Sequence, residues 1–97
     1  MRDKPTILIT DDDANTVYAF RHILESEGYS VLSATGGNDC LRIAGEEKPD
    51  LILLDVVLPD VSGIEVCRQI KSDPALAQIF VIHISGLDNA LDAPAFS

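Results

Sequence analysis

Ninety-seven residues, 46% apolar and 24% charged, make one small soluble domain over residues 1–97 and exclude a disordered chain. A formal charge of −9 with only seven Lys and Arg excludes a phosphate-gripping nucleic-acid surface, and suits a bound cation or a basic partner. No apolar run is long enough for a membrane span and no signal-peptide pattern opens the chain, so no membrane partner and a cytoplasmic location are expected.

After a short polar lead-in, residues 6 to 10 form an aliphatic run, as expected of a strand buried on both faces. Residues 14 to 27 carry helical spacing, with Val17, Phe20, Ile23 and Leu24 on one face and Gly28 as the stop. Residues 29 to 34 predict a second strand, and Thr35-Gly36-Gly37 turns the chain. A second helix with Leu41 and Ala44 inward runs to about Glu47, where Lys48-Pro49-Asp50 ends it. Leu51 to Leu54 is the most apolar strand, with Asp55 at its end. A loop containing Leu58-Pro59-Asp60 follows. Ser62-Gly63-Ile64-Glu65 has the S-x-x-E pattern of a capping box. The helix it opens carries Ile64, Cys67 and Ile70 on one face and ends at Asp73-Pro74. Phe80 to Ile84 is a fourth strand, and another helix could begin at Leu87 despite Pro94. Cys40 and Cys67 have no metal-ligand spacing and are expected to be buried reduced thiols.

Strands alternating with helices predict right-handed crossovers and a parallel sheet covered on both faces, an α/β fold with three αβα layers. In such doubly wound sheets ligands bind beyond the carboxyl ends of the strands. Three strand ends here finish in oxygen-bearing side chains: Asp11-Asp12-Asp13, Asp55 and Ser85. Carboxylates gathered at one edge repel unless a cation or proton joins them. Two or three of them favour Mg²⁺, whereas zinc is disfavoured without His or Cys nearby in sequence. Mg²⁺ held by carboxylates serves phosphoryl chemistry, in which a carboxylate can itself be the nucleophile. Asp55 is the candidate nucleophile, Ser85 a hydrogen-bond donor to the incoming group, and Gly86 leaves it room. Plain structural roles compete with these. An acidic run also suits a helix N-terminus, and Asp13 is expected to serve the helix. Asp55 could bond loop amides, and Ser85 could be a turn hydroxyl. Their joint placement at three strand ends favours the chemical reading. His83 shares a sheet face with Ser85 and is read as a core histidine bonded to backbone, and His22 as a surface residue.

These residues resemble the receiver domain of bacterial two-component response regulators. Residues 7 to 13 look like its first strand and acidic pair. Leu51 through Gly63 looks like its phosphorylation segment, and Ile82 through Gly86 like its fourth strand. The resemblance implies a flavodoxin-like doubly wound fold. It implies that Asp55 accepts a phosphoryl group from a phosphohistidine of a sensor histidine kinase or a histidine phosphotransfer protein. Asp12 and Asp55 would bind Mg²⁺ directly, Asp11 through water, and the Val57 backbone carbonyl would add a ligand. Ser85 would be the switch hydroxyl. The wording around His83-Ile84-Ser85 is similar to receivers attached to hybrid histidine kinases. The domain would assist its own phosphorylation without being an enzyme of metabolism.

The family has a fifth strand, ending in a lysine that contacts the phosphoryl group, and a last helix. Neither falls within this sequence, so a fragment of a larger protein, ending in the fourth-helix region, is expected. Lys48 and Lys71 lie in the wrong segments to substitute. A fourth strand left as an aliphatic edge would favour self-association. Three rivals remain beside this reading. A Mg²⁺ phosphohydrolase would want a second Asp where Val57 stands. A flavodoxin-like cofactor module would want a phosphate cradle where the acidic run stands. A degenerate receiver would serve only for docking.

Overall fold

A computed structural model of the protein describes residues 4–84. The described elements alternate as β1 (Thr6–Thr10), α1 (Ala14–Ser26), β2 (Ser30–Ala34), α2 (Gly37–Glu47), β3 (Leu51–Asp55), α3 (Gly63–Ser72) and β4 (Phe80–Ile84). The four strands are all parallel, in the order β2-β1-β3-β4. The second strand starts one residue later than the sequence pattern suggests, because Tyr29 N–H still bonds back to Leu24 O of α1. The predicted helix from Leu87, with Pro94, lies outside the described residues.

Alternation along the strands sends side chains to two faces. Leu8, Ala34, Ile52 and Leu54 face α2 and α3, where they pack with Cys40, Ala44, Val66 and Ile70. Ile7, Ile9, Val31 and Leu53 face the other way, onto Val17, Phe20 and Leu24 of α1. β1 is buried along its whole length, as a strand covered on both faces should be. The helices therefore lie on both sides of the sheet, with α1 alone on one of them among the described residues.

Three face assignments change. Ile23 is 58% exposed, because the stripe on α1 follows Val17, Phe20 and Leu24. Ile64 is 59% exposed, because α3 turns Gly63, Val66 and Ile70 inward instead. Cys67 packs against the core only partly, whereas Cys40 is fully buried, and both thiols are free. Burial pushes the Cys40 thiol above its ordinary value, so it stays protonated and inert.

The helix ends are built as the sequence suggests, with one variation. Asp13 caps α1, its carboxylate accepting from Asn15 N–H at 3.0 Å and Thr16 Oγ1 at 2.9 Å. Gly28 takes φ +96 just past the end of α1, a conformation that costs glycine little. Lys48 ends α2 in the left-handed region at φ 46, ahead of a buried Pro49. Ser62 caps α3 by accepting from Glu65 N–H at 3.2 Å. The Glu65 carboxylate bonds Arg68 and Gln69 on the next turn, so half of the capping box is made. Among the described residues no helix is long and apolar enough to cross a membrane.

Candidate metal and phosphoacceptor site

β1 and β3 are neighbours in register from Ile7↔Leu51 to Thr10↔Leu54. Their carboxyl ends therefore deliver Asp11 and Asp55 side by side. Carboxylate oxygens of Asp11, Asp12 and Asp55 lie within 4.8 Å of one another. Asp11 and Asp55 are buried, and Asp12 is exposed. A burial gradient of this kind gives an ion firm inner ligands and a wet outer side.

The two buried carboxylates are held by local backbone. Asp11 N–H donates to Ala34 O at 3.1 Å, which ties the end of β1 to the end of β2. Its Oδ1 accepts from Asp13 N–H at 2.9 Å. Asp55 Oδ1 accepts from Val57 N–H at 3.2 Å, which limits the carboxylate's rotation. Asp13 serves the helix, as expected, and takes no place in the cluster.

Burial raises the Asp11 carboxyl above its ordinary value; the Asp13 N–H pulls it back, and the charges of Asp55 and Asp12 push it up again. Mutual repulsion in a half-dry, all-oxygen donor set is what a hard cation relieves. The residues present thus fit Mg²⁺. Asp11, Asp12 and Asp55 are the side chains that could hold it. A groove beside them, lined by Tyr18, Arg21 and Thr35, leaves that side open.

The loop after Asp55 is fixed by contacts that the sequence reading missed. Gly63 N–H donates to Val56 O at 2.8 Å, and a Cβ at Gly63 would lie 2.1 Å from the Asp55 carbonyl oxygen. Only glycine lets α3 start this close to the backbone of Asp55. Asp60 reaches across to α2, accepting from Gly37 N–H at 2.8 Å and Asn38 N–H at 3.0 Å. The available signal was Gly36, an N-cap with no side chain to offer, which leaves the first amides of α2 in need of an outside acceptor.

Ser85 and Gly86 lie outside the described residues. The last described residue of β4, Ile84, pairs with Asp55. His83 is half-buried, and its Nδ1 has no hydrogen-bond partner among the described residues, so the expected backbone bond is not made at that atom. His22 is on the surface, as expected, stacked on Tyr18 at 6.4 Å between ring centroids. Val57 has an exposed side chain.

A parallel α/β sheet with three carboxylates clustered at its carboxyl edge defines a class of domain. The chain belongs to the response regulator receiver domain family, which matches residues 7–96. It is similar to the alkaline phosphatase synthesis transcriptional regulatory protein PhoP of Bacillus subtilis, with 42% identity over 76 residues, 78% of this chain and 32% of PhoP. It is also similar to Protein PilH of Pseudomonas aeruginosa, with 37% identity over 86 residues, 89% of this chain and 71% of PilH. The signal receiver domain of a signal transduction histidine kinase from Syntrophus aciditrophicus has the same fold. Its TM-score is 0.79 at 32% identity, covering 90% of this chain and 68% of that one. The chain thus spans about a third of PhoP's length. The fold is flavodoxin-like, and membership in the family makes the chain a signalling domain of phosphorelay systems.

Proposed function

We propose that Asp55 is the phosphoacceptor of a Mg²⁺-dependent receiver that takes its phosphoryl group from a phosphohistidine. The observation that carries this reading is the meeting of three carboxylates within 4.8 Å at the ends of β1 and β3. Asp12 and Asp55 would ligate Mg²⁺ directly and Asp11 through water, with the Val57 backbone carbonyl as a further ligand. When bound, Mg²⁺ would offset the charge of the phosphoryl oxygens. Asp55 would form the new O–P bond as the N–P bond of the phosphohistidine breaks and its electron pair returns to the imidazole. Val57 N–H orients the attacking carboxylate for this step. Ser85 would bond the transferred group, and Ile84 beside Asp55 is the residue from which it follows. No metabolite is turned over.

The donor would be a sensor histidine kinase or a histidine phosphotransfer protein in the cytoplasm. The likeness to a receiver from a signal transduction histidine kinase supports a hybrid kinase as one setting. Phe80 and Ile82, exposed on β4 at the sheet edge of the described residues, support self-association along that strand.

The test incubates the chain with Mg²⁺ and a small phosphodonor, and looks by mass for one added phosphoryl group. Labelling of the wild type and none of Asp55→Asn is expected. Equal labelling of both would refute the assignment. Mg²⁺ binding without labelling would favour the alternative, a receiver used only for docking.

A further inference from the structure

We propose that Asp60 is a positioning residue of the site: by tying the β3–α3 loop to the first amides of α2, it holds the Val57 carbonyl where the metal needs it. The inference rests on the Mg²⁺ reading above and adds a residue to it.

One carboxylate carries the whole tie. Asp60 Oδ1 accepts from Gly37 N–H at 2.8 Å and from its neighbour Val61 N–H at 2.8 Å, while Oδ2 accepts from Asn38 N–H at 3.0 Å. These bonds hold the Asp60 carboxyl below its ordinary value, those from Asn38 and Gly37 first. The positive end of the α2 dipole adds to the hold. In sequence the two ends of the tie are 22 and 23 residues apart, so it joins two loops at the carboxyl edge that nothing local would join.

The surroundings are shaped for it. A Cβ at Gly36 would meet the Asp60 carboxylate at 3.1 Å. A Cβ at Gly37 would meet Val66 Cγ2 at 2.8 Å and Val61 Cβ at 3.0 Å. Both glycines therefore let α2 begin against this loop. The loop is then pinned at both ends. Gly63 N–H holds Val56 O on one side of Val57, and Asp60 holds the far side, with Pro59 stiffening the link between. Val57, whose own N–H bonds Asp55 Oδ1, lies between these two anchors. Such outer supports of a metal ligand are commonly worth about ten- to a hundred-fold in metal affinity.

A plain alternative is that Asp60 only caps α2. The two roles separate in one experiment, because Gly36→Ser would give α2 a local cap without rebuilding the tie. Gly36 has φ −155 and ψ 173, which any residue adopts, and Asp60→Ala clears the carboxylate that its Cβ would touch. Mg²⁺ affinity would be measured by calorimetry, the Val57 amide followed by NMR, and stability by urea unfolding. We expect Asp60→Ala to bind Mg²⁺ about tenfold more weakly and to shift the Val57 amide. Adding Gly36→Ser should restore the unfolding midpoint and leave Mg²⁺ affinity low. Wild-type affinity in Asp60→Ala, or recovery of both properties in the double variant, would overturn the proposal. No Mg²⁺ response in the wild type would instead sink the functional reading beneath it, and the positioning role with it.

Discussion

The two faces of the sheet are packed differently. Under α2 and α3, the side chains of Leu8, Ile52, Leu54, Val66 and Ile70 are fully buried and interlock as one cluster. On the α1 side, no residue of the helix is itself buried, and the strand residues Phe80 and Ile82 are 74% and 49% exposed. One face is a sealed core; the other, among the described residues, is a sheet with one helix laid across part of it. By strand alternation Asp11 and Asp55 belong to the open side, while the Asp60 tie belongs to the helices of the sealed side. Among the described residues, the two buried carboxylates thus lie on the half-covered side and are braced from the sealed one.

The largest test of this contrast is a matched pair of truncations. Ile70→Ala, in the sealed cluster, should cost about 2–5 kcal/mol in urea unfolding. Phe20→Ala, on the half-covered face, should cost about half as much, because its site can relax and admit water. Equal losses would erase the distinction.

Gly63→Ala comes next. Its Cβ would sit 2.1 Å from the Asp55 carbonyl oxygen and 2.9 Å from Val56 Cα, so backbone must move. A loss of about 1–3 kcal/mol is expected, together with weaker Mg²⁺ binding by calorimetry. Unchanged binding would show that the bracing does not reach the acidic cluster.

Ile82→Lys should change monomer stability by less than about 0.5 kcal/mol, since the side chain is half in water already. The same change should abolish any concentration-dependent association seen by sedimentation. Association that survives the lysine would place the contact away from β4.

The smallest effect concerns acid. Glu65 on α3 is held at about 2, from an ordinary 4.5, by the Arg68 and Gln69 hydrogen bonds. A lowered carboxyl stabilises the fold above the unfolded value, and that contribution fades as pH falls from 4.5 through about 2. Glu65→Gln should flatten the acid limb of stability in that window and leave neutral pH nearly unchanged. An identical acid limb in the variant would mean that water screens the pair completely.

Strand and helix order were legible because each buried strand is a short aliphatic run between turn residues, and each helix carries its own stop. β1 and β3 could be paired, and Asp11 and Asp55 brought together, from the way alternating strands and helices wind. Helix faces were less legible. Ile23 and Leu24 are adjacent and equally apolar, and only packing against Val31 and Leu53 decides that Leu24 turns inward. In α3, Ile64 reads as core by residue type, yet the close start of the helix at Gly63 rotates Val66 inward instead. Asp60 was invisible as a support, because its partners are amides of another element, and amides carry no signature in sequence. Gly63 could be quoted but not explained until the Asp55 carbonyl was seen beneath it.

The strand order has a consequence for how the protein is made. β1 is first in the chain but central in the sheet, flanked by β2 on one side and β3 on the other. A nascent chain that has produced only β1, α1 and β2 has a two-stranded sheet with Leu8 uncovered, too little to stand alone in water. The sheet's centre closes only when β3 leaves the ribosome, and the last residue of β3 is Asp55. During synthesis the middle strand therefore gains its second neighbour only as the Asp55 carboxylate arrives.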